Sequence, residues 1–535
     1  MTDPTVNLEF LVGRPTGAAV VAGYLAGADT AMPFYGRHFE RLDAYREKAA
    51  EVDGRFDREA RAVAARILRV PDRGDPARLE RFVEEGGYMV TTGQQPGLFG
   101  GPLYSIYKAM TAVALARRLE TALERPVVPV FWVASEDHDW AEANHTWVVG
   151  VDNELHRLAV EAPDPSVHPA LHRVPLGDDA RAAARAMVDA LPETDFSPRF
   201  VDLIERAGTP GRTLPEGFHL ILQDLLGDTG LVFADAADRG LKEASLPTLL
   251  DELARSAETE AVLVATGERL EKAGYAHQVT LMEGGVNLFL SGPAGRERLY
   301  REDGGFRLRT SGEHLSEDDV RARAAADPTV LTPNVLLRPV VESAILPTLS
   351  YVGGPGELAY FAQLRDYFDA FGVGMPVVHP RCSVTVVESK IRKVLDKFGL
   401  DVPDLARPFH EISSDIARDE VPPDVKRALG SLKGAVAKGV ADLEKEVKAI
   451  DPTLKGPVQH IRSQAFQALD EAEKKVVHAL KREKEIALAQ LEKAQLHLFP
   501  DGVPQERAMN AFYYLSRYGG AFLDALAERF EVNPE

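Results

Sequence analysis

The chain has 535 residues, 45% of them hydrophobic, which is enough to bury the cores of two or three domains. Its 62 Lys and Arg against 82 Asp and Glu leave a formal net charge of −20, which argues against nucleic acid and anionic membranes as partners. One cysteine excludes an internal disulfide, and the sequence has no C-x-x-C motif, no signal-peptide pattern and no apolar run long enough to span a membrane. We therefore expect a cytoplasmic protein.

In chain order, a helical docking element between about residues 31 and 69 precedes a βαβ unit. Tyr88–Thr92 is a short strand pattern, and Gly93–Pro102 has too many Gly and Pro residues to be regular. A helical pattern follows Pro102, and Val127–Val133 is almost entirely apolar. Because such a strand is typical of a parallel sheet buried on both faces, we predict an α/β, Rossmann-like core.

The loops after these two strands carry complementary chemistry. Backbone N–H groups of Gly93–Gly101 suit an anion, and the acidic loop Ser135–Asp139 suits an amine, a metal or a proton in transit. The glycine loop is neither a Walker A motif nor a G-x-G-x-x-G fingerprint, so its glycines alternatively serve only a tight turn. Ligands bind beyond the carboxyl ends of parallel strands, so we expect both loops to face one crevice.

A second glycine-rich turn is predicted later in the sheet. Gly353 and Gly354 lead from a strand into a helix and repeat the geometry of the first loop. Arg338 and Arg381 are the expected carboxylate-binding forks of the cleft, with ordinary ion pairs as the alternative. The strand patterns in this half of the chain are Leu231–Asp235, Val335–Pro339, Ile345–Val352 and Met375–Arg381.

These patterns predict a Rossmann-like core with inserted connecting segments. The hairpin-like pieces Gly285–Gly292 and Phe306–Thr310 lie in the second insertion. In order, the segments are core (1–143), insertion (144–230), core (231–262), insertion (263–330), core (331–383), a helical coiled-coil arm (384–500) and a C-terminal helix whose aromatic residues cover the sheet (501–535).

The arm is predicted from heptad-like spacing. Apolar residues recur 3 and 4 positions apart from Leu429 to Leu454 and again from Val458 to Leu480. Joined at Asp451–Pro457, the two helices are expected to fold back as an antiparallel coiled coil that forms a homodimer with a second subunit. The alternative is an amphipathic stripe that packs on the core.

Several stretches together resemble one family. Gly93–Lys108, Pro129–Asp139, Arg338–Pro339 with Leu346–Tyr360, and Pro380–Thr385 are similar to the cysteine-adding enzymes of bacillithiol synthesis, the BshC family. The resemblance implies a ligase that adds cysteine to the amine of glucosaminyl-malate through an activated cysteine carboxyl. Activation implies ATP or another nucleotide, although no ATP motif is present. Cys382 is expected to be a small apolar residue, not a nucleophile.

The resemblance and the loop chemistry together predict the site. Asp137, His138 and Asp139 are expected at the point of bond formation, with His138 as the base because its unperturbed pKa is about 6.5. The predicted substrate-binding residues are Gln94, Gln95, Tyr104, Lys108, Glu136, Asn144, Arg338, Glu357 and Arg381. The predicted cofactor-binding residues are Gly93, Gly97, Gly100, Gly101, Gly353 and Gly354.

Two other functions remain open at this point. The acidic and histidine residues from Glu136 to His145 are compatible with a metal-dependent hydrolase, although no H-E-x-x-H motif is present. Asp139–Asn144 is alternatively only an acidic helix start. A coiled-coil scaffold without catalysis leaves the two glycine loops unexplained.

Overall fold

A computed structural model describes residues 2–3, 6–14, 17–162, 164, 167–530 and 532–535. The chain divides into a first unit, Met1–Thr385 with Glu506–Glu535, and a second unit, Val386–Gln505. The strands are β1 (Thr2–Asp3), β2 (Leu8–Gly13), β3 (Tyr88–Gln94), β4 (Val127–Val133), β5 (His145–Val149), β6 (Leu155–Ala159), β7 (Val232–Asp235), β8 (Gly285–Gly292), β9 (Gly295–Glu302), β10 (Gly305–Leu308), β11 (His314–Leu315), β12 (Leu331–Pro333), β13 (Thr348–Gly353), β14 (Val377–Pro380) and β15 (Ser383–Glu388).

The helices alternate with these strands in the first unit and dominate the second unit. They are α1 (Ala19–Leu25), α2 (Met32–Tyr35), α3 (Leu42–Asp53), α4 (Arg58–Arg66), α5 (Ala77–Glu84), α6 (Tyr104–Leu123), α7 (Trp140–Ala143), α8 (Asp178–Ala190), α9 (Ser197–Ala207), α10 (Leu214–Leu226), α11 (Arg239–Lys272), α12 (Glu317–Ala326), α13 (Arg338–Ile345), α14 (Pro355–Phe361), α15 (Arg365–Ala370), α16 (Ser389–Phe398), α17 (Phe409–Asp419), α18 (Pro423–Ile450), α19 (Lys455–Glu483), α20 (Glu485–Leu498), α21 (Gln505–Ala508), α22 (Phe512–Tyr518) and α23 (Ala521–Ala527).

The central sheet confirms the predicted parallel core. Among the described residues its strand order is β14-β13-β3-β4-β7, and every neighbouring pair is parallel. All seven residues of β4 are buried, as their apolar character predicts. The chain passes from β3 to β4 and β7 on one side and later to β13 and β14 on the other. The topological switch point therefore lies between β3 and β13, where a crevice opens at the carboxyl ends.

A second, antiparallel sheet in the first unit has the order β11-β10-β9-β8-β12. It confirms the predicted hairpin-like pieces and adds β9 between them. The predicted strand Val335–Pro339 is wrong, because most of it forms a turn and the start of α13. The Asn334 side chain accepts hydrogen bonds from the backbone N of Leu336 and Leu337, both at 3.0 Å, and Pro339 is tolerated in the first turn of the helix.

One helical prediction was imprecise. The segment between residues 31 and 69 is three helices, α2 to α4, and Gly36 between the first two has a positive φ of 74°. Helix α11 runs from Arg239 to Lys272, and Leu263 and Leu270 belong to its buried stripe. The division of the core into segments by residue number stays a prediction.

The second unit contains the predicted antiparallel helical hairpin, α18 and α19, which we call the coiled-coil hairpin. Lys433 of α18 pairs with Asp470 and Glu473 of α19 at 2.9 and 3.0 Å, and Glu444 pairs with Lys455 at 3.3 Å. Helix α19 begins at Lys455, slightly before the predicted end of the turn. No helix in the described part of the chain is long and apolar enough to cross a membrane.

The C-terminal residues of the first unit contact two of its helices. Phe512 contacts Phe200 of α9 with ring centroids 6.1 Å apart, and Phe530 contacts Tyr107 of α6 at 5.8 Å. The covering of the sheet by the C-terminal aromatic residues stays a prediction. The predicted homodimer and cytoplasmic location stay predictions.

Candidate active site

A cleft with a volume of about 690 Å³ lies in the first unit, at the carboxyl ends of the central strands. It confirms that the glycine loop and the acidic loop face one crevice. The cleft brings together most of the predicted site residues, which are Gly93, Gln94, Gln95, Tyr104, Lys108, Glu136, Asp137, His138, Arg338, Gly354, Glu357 and Arg381.

One wall of the cleft is organised around Lys108, which is only 3% exposed. Its Nζ donates to Gly93 O at 2.7 Å and to Gln94 Oε1 at 2.8 Å, and it pairs with Glu357 Oε2 at 2.5 Å. Burial alone would raise the pKa of Glu357, but Lys108 and the Tyr351 hydroxyl hold that pKa below its usual value. The ion pair therefore bridges the two sides of the switch point.

The two predicted arginine forks already have carboxylate partners. Arg338 donates to Glu342 Oε2 at 2.7 Å, and Arg381 binds both oxygens of Glu506 at 2.9 and 2.5 Å. Arg381 is 2% exposed. Both arginines line the cleft, yet each guanidinium group is paired with a neighbouring carboxylate. The ion-pair alternative therefore describes both residues, and the pair formed by Arg381 is bidentate.

The opposite wall presents the acidic loop. Asp137 accepts from Gln95 Nε2 at 2.6 Å and from the backbone N of His138 at 2.7 Å. Burial would raise the pKa of Asp137, but Arg296 and these donors lower it. Asp137 is therefore a carboxylate near neutral pH.

His138 is in contact with an arginine that the sequence did not indicate. Arg296 Nη1 lies 2.9 Å from His138 Nδ1, whereas the nearest oxygen of Asp137 lies 3.7 Å from that nitrogen. Burial and the Arg296 charge lower the pKa of His138, and Asp137 opposes the shift. His138 is therefore a neutral imidazole near pH 7.

Two further carboxylates belong to this wall. Glu142 lines the cleft, where desolvation of its carboxyl together with the nearby Asp139 and Asp137 raises its pKa. Glu136 is buried and paired with Lys242. A carboxyl with a raised pKa is better suited to accept a proton near neutral pH than one held low by a cation.

Several predicted residues lie outside the cleft lining. Asp139 caps α7, where its Oδ1 accepts from Glu142 N at 3.1 Å, which confirms the helix-start alternative for this residue. Asn144 donates to Val160 O at 2.8 Å. The remaining members of this set are Gly97, Gly100, Gly101 and Gly353.

The first glycine loop is closed on itself. A Cβ on Gly97 would lie 2.9 Å from Cα of Gly101, and Gly101 has a φ of +67°. The buried Asn510 side chain donates to Phe99 O at 2.9 Å and to Gly101 O at 3.2 Å. The backbone N–H groups of Gly97, Gly100 and Gly101 already donate to Gln95 O, Gly97 O and Leu98 O at 3.0, 3.2 and 3.0 Å, so this close turn does not fit a phosphate cradle.

In the second glycine turn, a side chain of the following helix already accepts the backbone hydrogen bond. Gly354 N donates to Glu357 Oε2 at 2.8 Å, so the first turn of α14 already carries its own carboxylate. A nucleotide stays a proposal from the reaction type. Among the described residues, no group of three or more His, Cys, Asp or Glu is placed to hold a metal ion.

Sequence reasoning missed several cleft residues, which are Phe289, Arg296, Tyr351, Tyr360 and Arg507. Arg296 follows a hairpin turn in a charged strand and has no sequence feature that separates it from surface arginines. Arg507 lines the cleft and has no ion-pair partner in the described part of the chain. Burial raises the pKa of Cys382, consistent with an unreactive thiol.

The parallel sheet, the crevice at its switch point and the opposed acidic and basic walls define a Rossmann-like α/β enzyme with a polar small-molecule cleft. A family model described as "Bacillithiol biosynthesis BshC, N-terminal Rossmann-like domain" matches residues 9–382. A second, described as "Bacillithiol biosynthesis BshC, C-terminal coiled-coil domain", matches residues 384–533. The chain belongs to this BshC family of bacillithiol biosynthesis.

Relatives named "Putative cysteine ligase BshC" match most of the chain. The protein of Salinibacter ruber is 37% identical over 449 residues, which are 84% of this chain and 82% of the relative. Those of Koribacter versatilis and Symbiobacterium thermophilum are 31% and 33% identical and cover 97% and 94% of both chains. These similarities give no support to a metal-dependent hydrolase.

Proposed function

We propose that this chain is a carbon–nitrogen ligase that joins the carboxyl of cysteine to the amine of glucosaminyl-malate, the last step of bacillithiol synthesis. The observation that carries the proposal is the BshC family match, which extends through both the Rossmann-like and the coiled-coil parts of the chain.

The charges of the cleft suit these substrates. Asp137 and Glu142 supply negative charge for the substrate ammonium, and Arg507 supplies an exposed cation for a malate carboxylate. Arg338 and Arg381 also contribute positive charge to the cleft, and each is paired with a carboxylate. Opposed charges of this kind orient a substrate that carries both signs.

Amide formation from a free carboxylate requires activation. In our proposal cysteine reacts as an acyl group that carries a phosphoryl or nucleotidyl leaving group from a nucleoside triphosphate. The substrate ammonium first passes one proton to Glu142, and the neutral amine then attacks the carbonyl carbon. The new C–N bond forms, the C–O bond to the leaving group breaks, and the second proton leaves the nitrogen to solvent.

The test is a reaction of the purified full chain with cysteine, glucosaminyl-malate and ATP, analysed by mass spectrometry for the conjugate and for AMP or ADP. We expect a conjugate, and we expect Glu142→Gln to lower turnover by roughly 10² or more, the usual size of a general-base contribution. The matched control is Glu154→Gln, an exposed glutamate outside the cleft.

The pH profile identifies the acceptor. Glu142 acts as a base only when deprotonated, so wild-type turnover should fall as the pH drops through its raised pKa, and the Glu142→Gln variant should lack this acid limb. No conjugate under any nucleotide would refute the ligase, and wild-type turnover in Glu142→Gln would refute the acceptor alone.

A further inference from the structure

Arg296 is held rigidly at the edge of the cleft. Its Nε donates to Thr332 Oγ1 at 2.9 Å and its Nη2 donates to Pro333 O at 2.7 Å. The guanidinium carbon lies 4.0 Å from the centroid of the Phe289 ring. With one side-chain acceptor, one backbone acceptor and a stacked ring holding the rest of the guanidinium, Nη1 faces His138 Nδ1, 2.9 Å away.

This contact determines which imidazole nitrogen carries the proton. An arginine side chain has only N–H donors and no acceptor, so His138 Nδ1 must offer its lone pair to Arg296. A neutral imidazole with an acceptor at Nδ1 has its proton on Nε2. Among the described residues, none hydrogen-bonds to His138 Nε2, while the His138 side chain lines the cleft.

We propose that Arg296 is a positioning residue that holds His138 as a fixed Nε2–H donor, and that this N–H stabilises the negative oxygen formed when the amine attacks the activated cysteine carbonyl. The inference rests on the proposed ligase. In that step the carbonyl oxygen takes the electron pair of the C=O bond and accepts a hydrogen bond from Nε2. When the intermediate collapses, the pair returns and the leaving group departs.

The surroundings of His138 support a donor and not a base. A base at Nε2 would need its lone pair there, and the proton would then face the N–H of Arg296 at Nδ1. The other groups near the ring are Asp137, Asp139, His168 and Phe289. Neither carboxylate has an oxygen at hydrogen-bond distance from a ring nitrogen, so neither competes with Arg296 for Nδ1. The base role predicted for His138 from its unperturbed pKa is thus replaced by a donor role.

The tautomer can be observed without activity. In full-length protein with ¹⁵N-labelled histidine, long-range ¹H–¹⁵N spectra distinguish protonated from unprotonated ring nitrogens, and the signals missing in His138→Gln assign His138. We expect an unprotonated Nδ1 and a protonated Nε2 near pH 7. In Arg296→Gln the pKa of His138 should rise, because the Arg296 charge lowers it in the wild type, and its signals should titrate at a higher pH than in the wild type. In Arg307→Gln, a control on β10 outside the cleft, they should not change.

Kinetics test the donor role. His138→Gln keeps an N–H near the Nε2 position, whereas His138→Leu keeps the approximate volume without a donor. We expect His138→Leu to lower kcat by roughly 10² to 10³, the usual cost of one oxyanion donor, and His138→Gln to retain clearly more of it.

Each outcome separates the two proposals. A ligating protein whose His138 carries its proton on Nδ1, or whose Gln and Leu variants are equally impaired, overturns the donor role and leaves the ligase standing. A protein with the expected tautomer that makes no conjugate refutes the ligase and leaves the Arg296 to His138 contact assigned.

Discussion

At the scale of single residues, the cleft owes its charge pattern to buried pairs. Lys108 with Glu357 and Arg381 with Glu506 each place a cation and an anion out of water in good geometry. Removing one partner of such a pair leaves an uncompensated buried charge, which is far more costly than the pair is stabilising. These residues therefore combine a structural role with their position beside the substrate.

Glu357→Gln should destabilise the first unit by about 3 to 5 kcal/mol near pH 7, because the buried Lys108 charge loses its partner. Its pKa is lowered in the folded state, so its stabilisation is present above the unfolded value of about 4.3 and is lost as the pH falls through the folded pKa. The variant should therefore lose less stability in acid than the wild type does.

Denaturant unfolding followed by tryptophan fluorescence measures this effect, since all three tryptophans, Trp132, Trp140 and Trp147, lie in the first unit. The control is Glu84→Gln, which breaks an exposed pair with Arg58 and should leave the unfolding midpoint nearly unchanged. Equal losses in the two variants at pH 7 would show that Glu357 is not part of a buried pair.

At the scale of elements, the first glycine loop is a structural turn. Gly101→Ala places a Cβ at a backbone φ of +67° and ψ of −164°, a region essentially restricted to glycine, and should cost about 1 to 3 kcal/mol. Gly520 of the first unit has a φ of −64° and no atom within 4 Å of an added Cβ, so Gly520→Ala should not lower stability. Tryptophan-detected unfolding should shift only for Gly101→Ala, and an unchanged midpoint for that variant would contradict the strain.

Much of the element order could be predicted from the sequence, because β3, α6 and β4 have unmixed apolar patterns with Gly and Pro at their ends. Val335–Pro339 could not, since a short apolar run is equally compatible with a strand and a helix start, and the capping side chain of Asn334 decides between them. The position of the acidic loop in the cleft could be predicted because its polar residues directly follow a strand of the parallel sheet.

The partners of the site residues could not be predicted from the sequence. Glu506 is 125 residues from Arg381, Asn510 is 409 residues from Gly101, and Arg296 is 158 residues from His138. Spacing and motif arguments use local distances along the chain, so they predict a base at His138 and cannot predict the arginine at its Nδ1.

At the scale of the whole molecule, the coiled-coil hairpin leaves apolar side chains in water. Leu432 is 51% exposed, Leu443 44%, Ile450 79% and Ile461 52%. Such residues at heptad-like spacing suit a second copy of the hairpin. We therefore keep the prediction of a homodimer formed through α18 and α19.

Sedimentation velocity at micromolar concentration tests this. The wild type should be a dimer, and the triple variant Leu432→Gln, Leu443→Gln, Ile461→Gln should be a monomer with unchanged helical content. Ile486→Gln is the matched control, because Ile486 is 81% exposed but lies on α20, outside the hairpin. Sedimentation of the intact chain as a monomer would contradict the predicted homodimer.

The return of Glu506–Glu535 to the first unit has a consequence for biosynthesis. A ribosome that has completed Gln505 has made every strand of the central sheet, yet neither the carboxylate for Arg381 nor the amide that closes the glycine loop exists. The nascent chain therefore carries an unfinished site while more than a hundred residues of the second unit are translated. Premature termination within that stretch should yield polypeptides that depend on chaperones, and catalysis should begin only after Glu506–Glu535 has been translated.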